Sequence, residues 1–132
     1  MSVKIKKGIY QLVEEANQIV EEISVSEAMA LYIREDVQFV DIRDIRELNR
    51  DGRIPDAYHC PRGMLEFWVD PESPYSKKIF QQERTFVLFC AAGLRSALAG
   101  RTLVEMGLTN VKHIHGGFAA WREAGGAIDI IE

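Results

Sequence analysis

The stretch FVLFCAAGLRSALAG, residues 86–100, decides how the rest of the chain is read. With Thr85 in front, its first half is an unbroken apolar run ending in Cys90, the pattern of a strand buried on both faces of a sheet. Its second half opens a helical pattern from Leu94 to Met106, with Gly107 as the stop. Between them lie Ala91, Ala92 and Gly93, small enough for the backbone to curl tightly, with Gly93 free to take positive φ. A thiol therefore stands where a buried strand gives way to a helix. That is the place where open α/β sheets gather their ligands.

Around such a thiol the backbone N–H groups turn inward, and the helix that follows adds its positive end. Arg95 supplies a permanent charge and a fork of donors suited to oxyanions. Together these favour a thiolate over a thiol. A lone cysteine ending an apolar strand is ordinarily an inert small hydrophobe. Such filler needs neither an anion-cradling turn nor an arginine five residues on, and Cys90 has both.

Working outward, apolar residues Ile5, Ile9, Leu12, Val13, Ala16, Ile19 and Val20 fall at helical spacing and predict an amphipathic helix. Residues 23–25 read as a short strand, and Ser26 as the N-cap of a helix through Tyr32. Residues 37–42 form a β-branched strand; residues 43–52 a short helix stopped by Gly52; residues 53–61 a turn and a brief strand closed by Pro61. GMLEFW reads as a helix and the proline-bearing DPESPYSKK as a loop. After residues 85–90 and the long helix come a strand in NVKHI and a last helix in GFAAWREAG. Strands alternating with helices predict an α/β fold with a mostly parallel central sheet.

At 132 residues, 47% hydrophobic and 27% charged, the chain suits one globular domain with a real core. A net charge of −4 gives no footprint for nucleic acid or for an anionic membrane surface. No apolar run is long enough to span a bilayer, and acidic residues interrupt any signal core near the start, so the cytoplasm is the expected compartment. Two cysteines thirty residues apart make neither a disulfide framework nor a CxxC pair. The three histidines lack metal spacing with them, so no metal is expected.

Three stretches, in order, resemble the rhodanese family of sulfurtransferases: VDIRDIRELNRDGRIPDAYHCP, CAAGLRS and GGFAAWREAG. The resemblance runs from about residue 23 to 126 and departs from the family pattern at Arg53, Asp56 and Cys60. It implies a three-layer rhodanese-like fold, with a five-stranded mostly parallel sheet flanked by helices. Residues 1–22 would be an N-terminal amphipathic helix extension and residues 23–132 the rhodanese-like domain. Cys90 would be the catalytic residue, with Ala91, Ala92, Gly93, Leu94, Arg95 and Ser96 binding the substrate anion. No cofactor is implied beyond a covalent cysteine persulfide. The partners would be a small sulfur donor such as thiosulfate and a thiol or cyanide acceptor, a protein thiol included, in a monomer or homodimer.

Loop length separates two chemistries within the resemblance. Cys90 to Arg95 spans six residues, C-x4-R, as in the family's sulfurtransferases, whereas its phosphatase relatives carry one residue more. A phosphatase or arsenate-reductase-like enzyme is therefore disfavoured, and a non-catalytic binding module is the other alternative. Asp41, Arg43 and Glu47 read as braces, with Arg43 and Glu47 spaced for an i,i+4 pair. Arg62 and Trp68 would lie near the mouth of the site, His115 at a polar strand end and Trp121 in the core; Cys60 reads as buried filler rather than a second thiol.

Overall fold

The computed structural model describes residues 3–130; the first two and last two positions lie outside the described residues. The chain runs α1 (Ile9–Ala16), β1 (Glu21–Ile23), α2 (Val25–Tyr32), β2 (Val37–Asp41), α3 (Ile45–Asp51) and β3 (Tyr58–His59). It continues through α4 (Leu65–Val69), β4 (Thr85–Phe89), α5 (Leu94–Met106), β5 (Val111–Ile114) and α6 (Gly117–Glu123). Short 3₁₀ turns at Arg62–Met64 and Lys78–Gln81 flank α4 and its following loop.

The five strands pair in the order β1-β5-β4-β2-β3, every pairing parallel. β4 is central, and its side chains alternate between two cores. Phe86, Leu88 and then Cys90 join Val40, Ile42, Leu65 and Leu103 on the α4–α5 side. Val87 and Phe89 join Phe39, Ile114, Phe118 and Trp121 on the α2–α6 side. Burial on both faces is the reason the strand reads as an unbroken apolar run. An aromatic cluster anchors each layer. Trp121 meets Tyr32 and Phe39 edge-on at 5.1 and 5.6 Å between centroids, and Tyr58 meets Trp68 and Phe80 at 6.1 and 5.8 Å.

Several element ends differ from the sequence reading, each for a local reason. Ser24, not Ser26, caps α2: its hydroxyl accepts from the Glu27 amide at 3.1 Å and the Glu27 carboxylate accepts from the Ser24 amide at 3.2 Å. Only Ser24 has a glutamate three residues on, so only it can close a capping box. The preceding strand accordingly ends at Ile23 and begins at Glu21. Asp44 and Glu47 build a second capping box, which moves the start of α3 to Ile45. The first helix is shorter than its periodicity, because after Ala16 the chain turns so that Val20 drops into the core on the α5 side. Val13 and Ala16 pack on Ala97, and a Cβ on Gly100 would meet Val20 at 2.7 Å, so α1 and its exit lie tight against α5.

Candidate active site

The site forms where β4 hands over to α5. The helix begins at Leu94 with Gly93 as its N-cap, at φ +97°, a conformation that favours glycine. This left-handed residue curls the loop over the thiol. The Gly93 amide donates to Cys90 Sγ at 3.2 Å and the Ser96 amide donates at 3.4 Å. Sulfur thus sits at the floor of a ring of backbone, in a residue only 1% exposed. Ala92, Leu94 and Arg95 face solvent around it, while Gly93 and Ser96 are buried.

α6 clamps the same loop from the other side. The Phe118 amide donates to the Cys90 carbonyl at 2.8 Å, and the Ala119 amide donates to the Ala91 carbonyl at 3.1 Å. Gly117 makes this approach possible: a Cβ there would strike the Cys90 carbonyl oxygen and come within 2.9 Å of the Ala91 carbonyl carbon. The Gly116–Gly117 pair, seen in the sequence only as part of a closing motif, is therefore a wall of the site. Trp121 is core, donating its indole N–H to the Ala127 carbonyl at 2.9 Å.

Arg95 does not stand free over the sulfur. Its guanidinium forks onto Glu47, with both N–H···O distances 2.9 Å. That bond holds the Glu47 carboxyl below the usual range, while the carboxylate and then Cys90 raise the arginine. Arg43 accordingly does not pair with Glu47. It turns back onto Asp41 at 2.8 Å, donates to the Gly52 carbonyl at 2.9 Å and lies 4.1 Å over the Phe118 ring, fully buried. Arg43 and Asp41 satisfy each other inside the protein, as buried charges must. Their role is to hold the start of α3 beside α6.

Beneath the sulfur runs a chain of polar side chains that sequence reasoning missed apart from Ser96. The Ser96 hydroxyl lies 3.6 Å from Cys90 Sγ and 2.9 Å from His113 Nδ1. His113 Nε2 reaches Asn17 Oδ1 at 2.6 Å, with the Glu22 carboxylate 3.9 Å away. His115, mostly exposed, lies 3.2 Å from the same carboxylate. Ser96 and His113 are wholly buried, and burial pushes the His113 imidazole down to about 4, so it is neutral near pH 7.

The other residues singled out lie outside the ring. Arg62 pairs with Glu66 at 2.7 Å, and Trp68 packs on Tyr58 under the Lys77 ammonium. Cys60, at the end of β3, is buried; desolvation first, and then Glu66, pushes its thiol up to about 12. Among the described residues no group of three His, Cys, Asp or Glu side chains could hold a metal ion, and no helix is long and apolar enough to cross a membrane.

A parallel α/β sheet with a thiol cradled at the carboxyl end of its central strand defines a class of strand-end cysteine proteins. Comparison narrows the class: residues 24–124 match the model of the rhodanese-like domain, and the chain belongs to that family. It is 30% identical over 102 residues to a thiosulfate sulfurtransferase GlpE of Shewanella oneidensis, covering 77% of this chain and 92% of that one. Among solved structures, a polysulfide-sulfur transferase homodimer of Wolinella succinogenes superposes with a TM-score of 0.69 at 30% identity, over 91% of this chain and 85% of that one. A Rhodopseudomonas palustris protein described as a possible tyrosine phosphatase superposes with a TM-score of 0.94 at 53% identity, over 98% and 99%.

Proposed function

We propose that the chain is a sulfurtransferase that carries sulfane sulfur as a persulfide on Cys90. The observation that carries this reading is the pair of backbone N–H groups, Gly93 and Ser96, that converge on the Cys90 sulfur inside a six-residue loop. In the first half-reaction the Cys90 thiolate attacks the sulfane sulfur of a donor such as thiosulfate. The donor S–S bond breaks, sulfite leaves with the electron pair, and a new Sγ–S bond remains on the enzyme. In the second, an acceptor thiolate or cyanide attacks that outer sulfur, and Cys90 leaves as the thiolate stabilised by the loop amides. Leu94 and Arg95 border the mouth through which both substrates reach the sulfur.

One observation favours a second reading: the relative described as a possible tyrosine phosphatase is 53% identical to this chain. Against it, the ring from Cys90 to Arg95 holds six residues, one fewer than the loop of the family's phosphatase relatives. Intact mass spectrometry after thiosulfate treatment decides. A one-sulfur adduct that disappears in Cys90→Ser supports transfer. Absence of any adduct leaves the binding module standing, and turnover of an aryl phosphate by the wild type establishes the phosphatase instead.

A further inference from the structure

Each link in the chain beneath Cys90 has a polarity that elementary hydrogen bonding fixes. An amide oxygen and a carboxylate only accept, and His113 Nε2 faces Asn17 Oδ1 at 2.6 Å and Glu22 Oε2 at 3.9 Å. The imidazole proton therefore sits on Nε2. Burial keeps the ring neutral, so Nδ1 is left with its lone pair. The group facing Nδ1 is the Ser96 hydroxyl at 2.9 Å, which must donate there. Its lone pairs then face Cys90 Sγ at 3.6 Å, where they accept from a thiol and have nothing to give a thiolate.

We propose that Asn17 and His113 are positioning residues for Cys90: they turn the Ser96 hydroxyl proton away from the sulfur and so hold back the free thiolate. This rests on Cys90 being the sulfur carrier. When Cys90 ionises, its S–H bond breaks and the proton leaves to solvent. The Ser96 O–H then either stays on Nδ1 or swings to the sulfur and abandons Nδ1, and both arrangements forfeit one hydrogen bond. The persulfide's inner sulfur likewise has no proton for Ser96, but it places no negative charge against the hydroxyl lone pairs, so the arrangement opposes the free thiolate more than the persulfide. The relay thus weighs on the empty enzyme, whose thiolate is the form open to oxidation, more than on the loaded one.

Two features make the device more than a packing detail. Asn17 lies outside the span that matches the family model, so residues before the rhodanese-like region complete the environment of the thiol. α1 and its exit are also pressed onto α5, the helix that carries Ser96, through Val13, Ala16 and Val20. The charged and titratable groups around His113 are Glu22 from β1 and His115 just past β5; Asn17 from the α1 exit and Ser96 from α5 are neutral.

The test is the pH midpoint of Cys90 alkylation by iodoacetamide, followed by mass, in full-length protein. With His113→Leu the Ser96 hydroxyl is free to donate to sulfur. The midpoint should fall by about one unit, making alkylation below it about tenfold faster. Asn17→Leu touches neither the sulfur nor Ser96 and should shift the midpoint the same way, by about half as much. Both shifts should vanish in a Ser96→Ala background, because the coupling runs through that hydroxyl. An unchanged or raised midpoint in either variant, or a shift that survives Ser96→Ala, overturns the relay. If His113→Leu does not fold, Asn17→Leu alone decides. Thiosulfate treatment of the same wild-type sample separates the two ideas: without a sulfur adduct the sulfurtransferase reading fails, while the alkylation midpoints still judge the relay.

Discussion

Cys60 and Cys90 follow β3 and β4, the strands on either side of β2, and share one apolar layer, yet the structure surrounds their sulfurs differently. Cys60 follows β3 and is itself followed by Pro61, which has no N–H to offer; among the described residues its sulfur finds only the Pro61 carbonyl at 3.9 Å. Glu66 lies close enough to oppose ionisation further. Cys90 follows β4 and is succeeded by a loop that folds two N–H groups back onto its sulfur. Residue burial is alike at 0% and 1%, so exposure does not tell the two thiols apart. The residues just after the thiol do.

The largest effect should come from exchanging the two thiols' fates. Cys60→Ala removes one buried sulfur from the core and should leave the Cys90 sulfur adduct intact, at a stability cost of about 1 kcal/mol. At neutral pH iodoacetamide should label Cys90 and spare Cys60, read by intact mass and by peptide mapping. Labelling of Cys60 in the folded protein at a rate comparable to Cys90 would break the comparison. It would mean that the proline and Glu66 do not hold that thiol protonated.

Gly117→Ala tests whether the cradle depends on its far wall. The new methyl would collide with the carbonyls of Cys90 and Ala91, at a position where φ is +57°. The loop must shift, and a displacement of ångström size at a reacting centre costs about 10²-fold in rate. Sulfur transfer should fall by about that much while the far-ultraviolet circular dichroism stays that of the wild type. Gly125→Ala is the control, since it also has positive φ but nothing within 4 Å of the added Cβ. Equal losses in both variants would reduce the wall to a general cost of backbone strain.

How much of this was legible in the sequence follows from how local each feature is. The strand, the turn and the helix at Cys90 are set by fifteen consecutive residues, and α5 runs from Leu94 to Met106 as its periodicity and Gly107 predict. Gly93 was legible for the same reason, because a chain that must double back within three residues needs positive φ there. The capping boxes were written in plain spacing at Ser24/Glu27 and Asp44/Glu47, and only the first serine offered the right one. Partners brought from afar were not legible. Glu47 reaches Arg95 across 48 positions and Asn17 reaches His113 across 96. A nearer candidate, Arg43, drew Glu47 into the wrong pair because i,i+4 spacing is visible, while the buried Asp41 that claims Arg43 is not. Only a wholly buried histidine next to a strand end could have hinted at the relay, and burial is a tertiary fact.

The smallest expected effect concerns the Arg95–Glu47 fork, whose partner at Cys60, the Arg62–Glu66 pair, guards no cradle. Arg95 is the charge that a sulfur-donor anion would meet first, and its side chain is 43% exposed. To bind such an anion Arg95 must leave Glu47, and a pair this exposed is worth about 1 kcal/mol or less. Glu47→Gln keeps an acceptor for the Asp44 amide in the capping box but removes the competing charge. The KM for thiosulfate should therefore fall about two- to fivefold, with kcat and the KM for a neutral thiol acceptor unchanged. The same fork gives a pH signature. Because Arg95 lowers the Glu47 carboxyl, the pair stabilises the fold above the ordinary glutamate range and is lost as pH falls through the lowered value. Acid unfolding of Glu47→Gln should accordingly lack that component while its stability at neutral pH drops only slightly. A raised KM in Glu47→Gln would show instead that Glu47 aims Arg95 at the anion, and that the fork is part of the cradle.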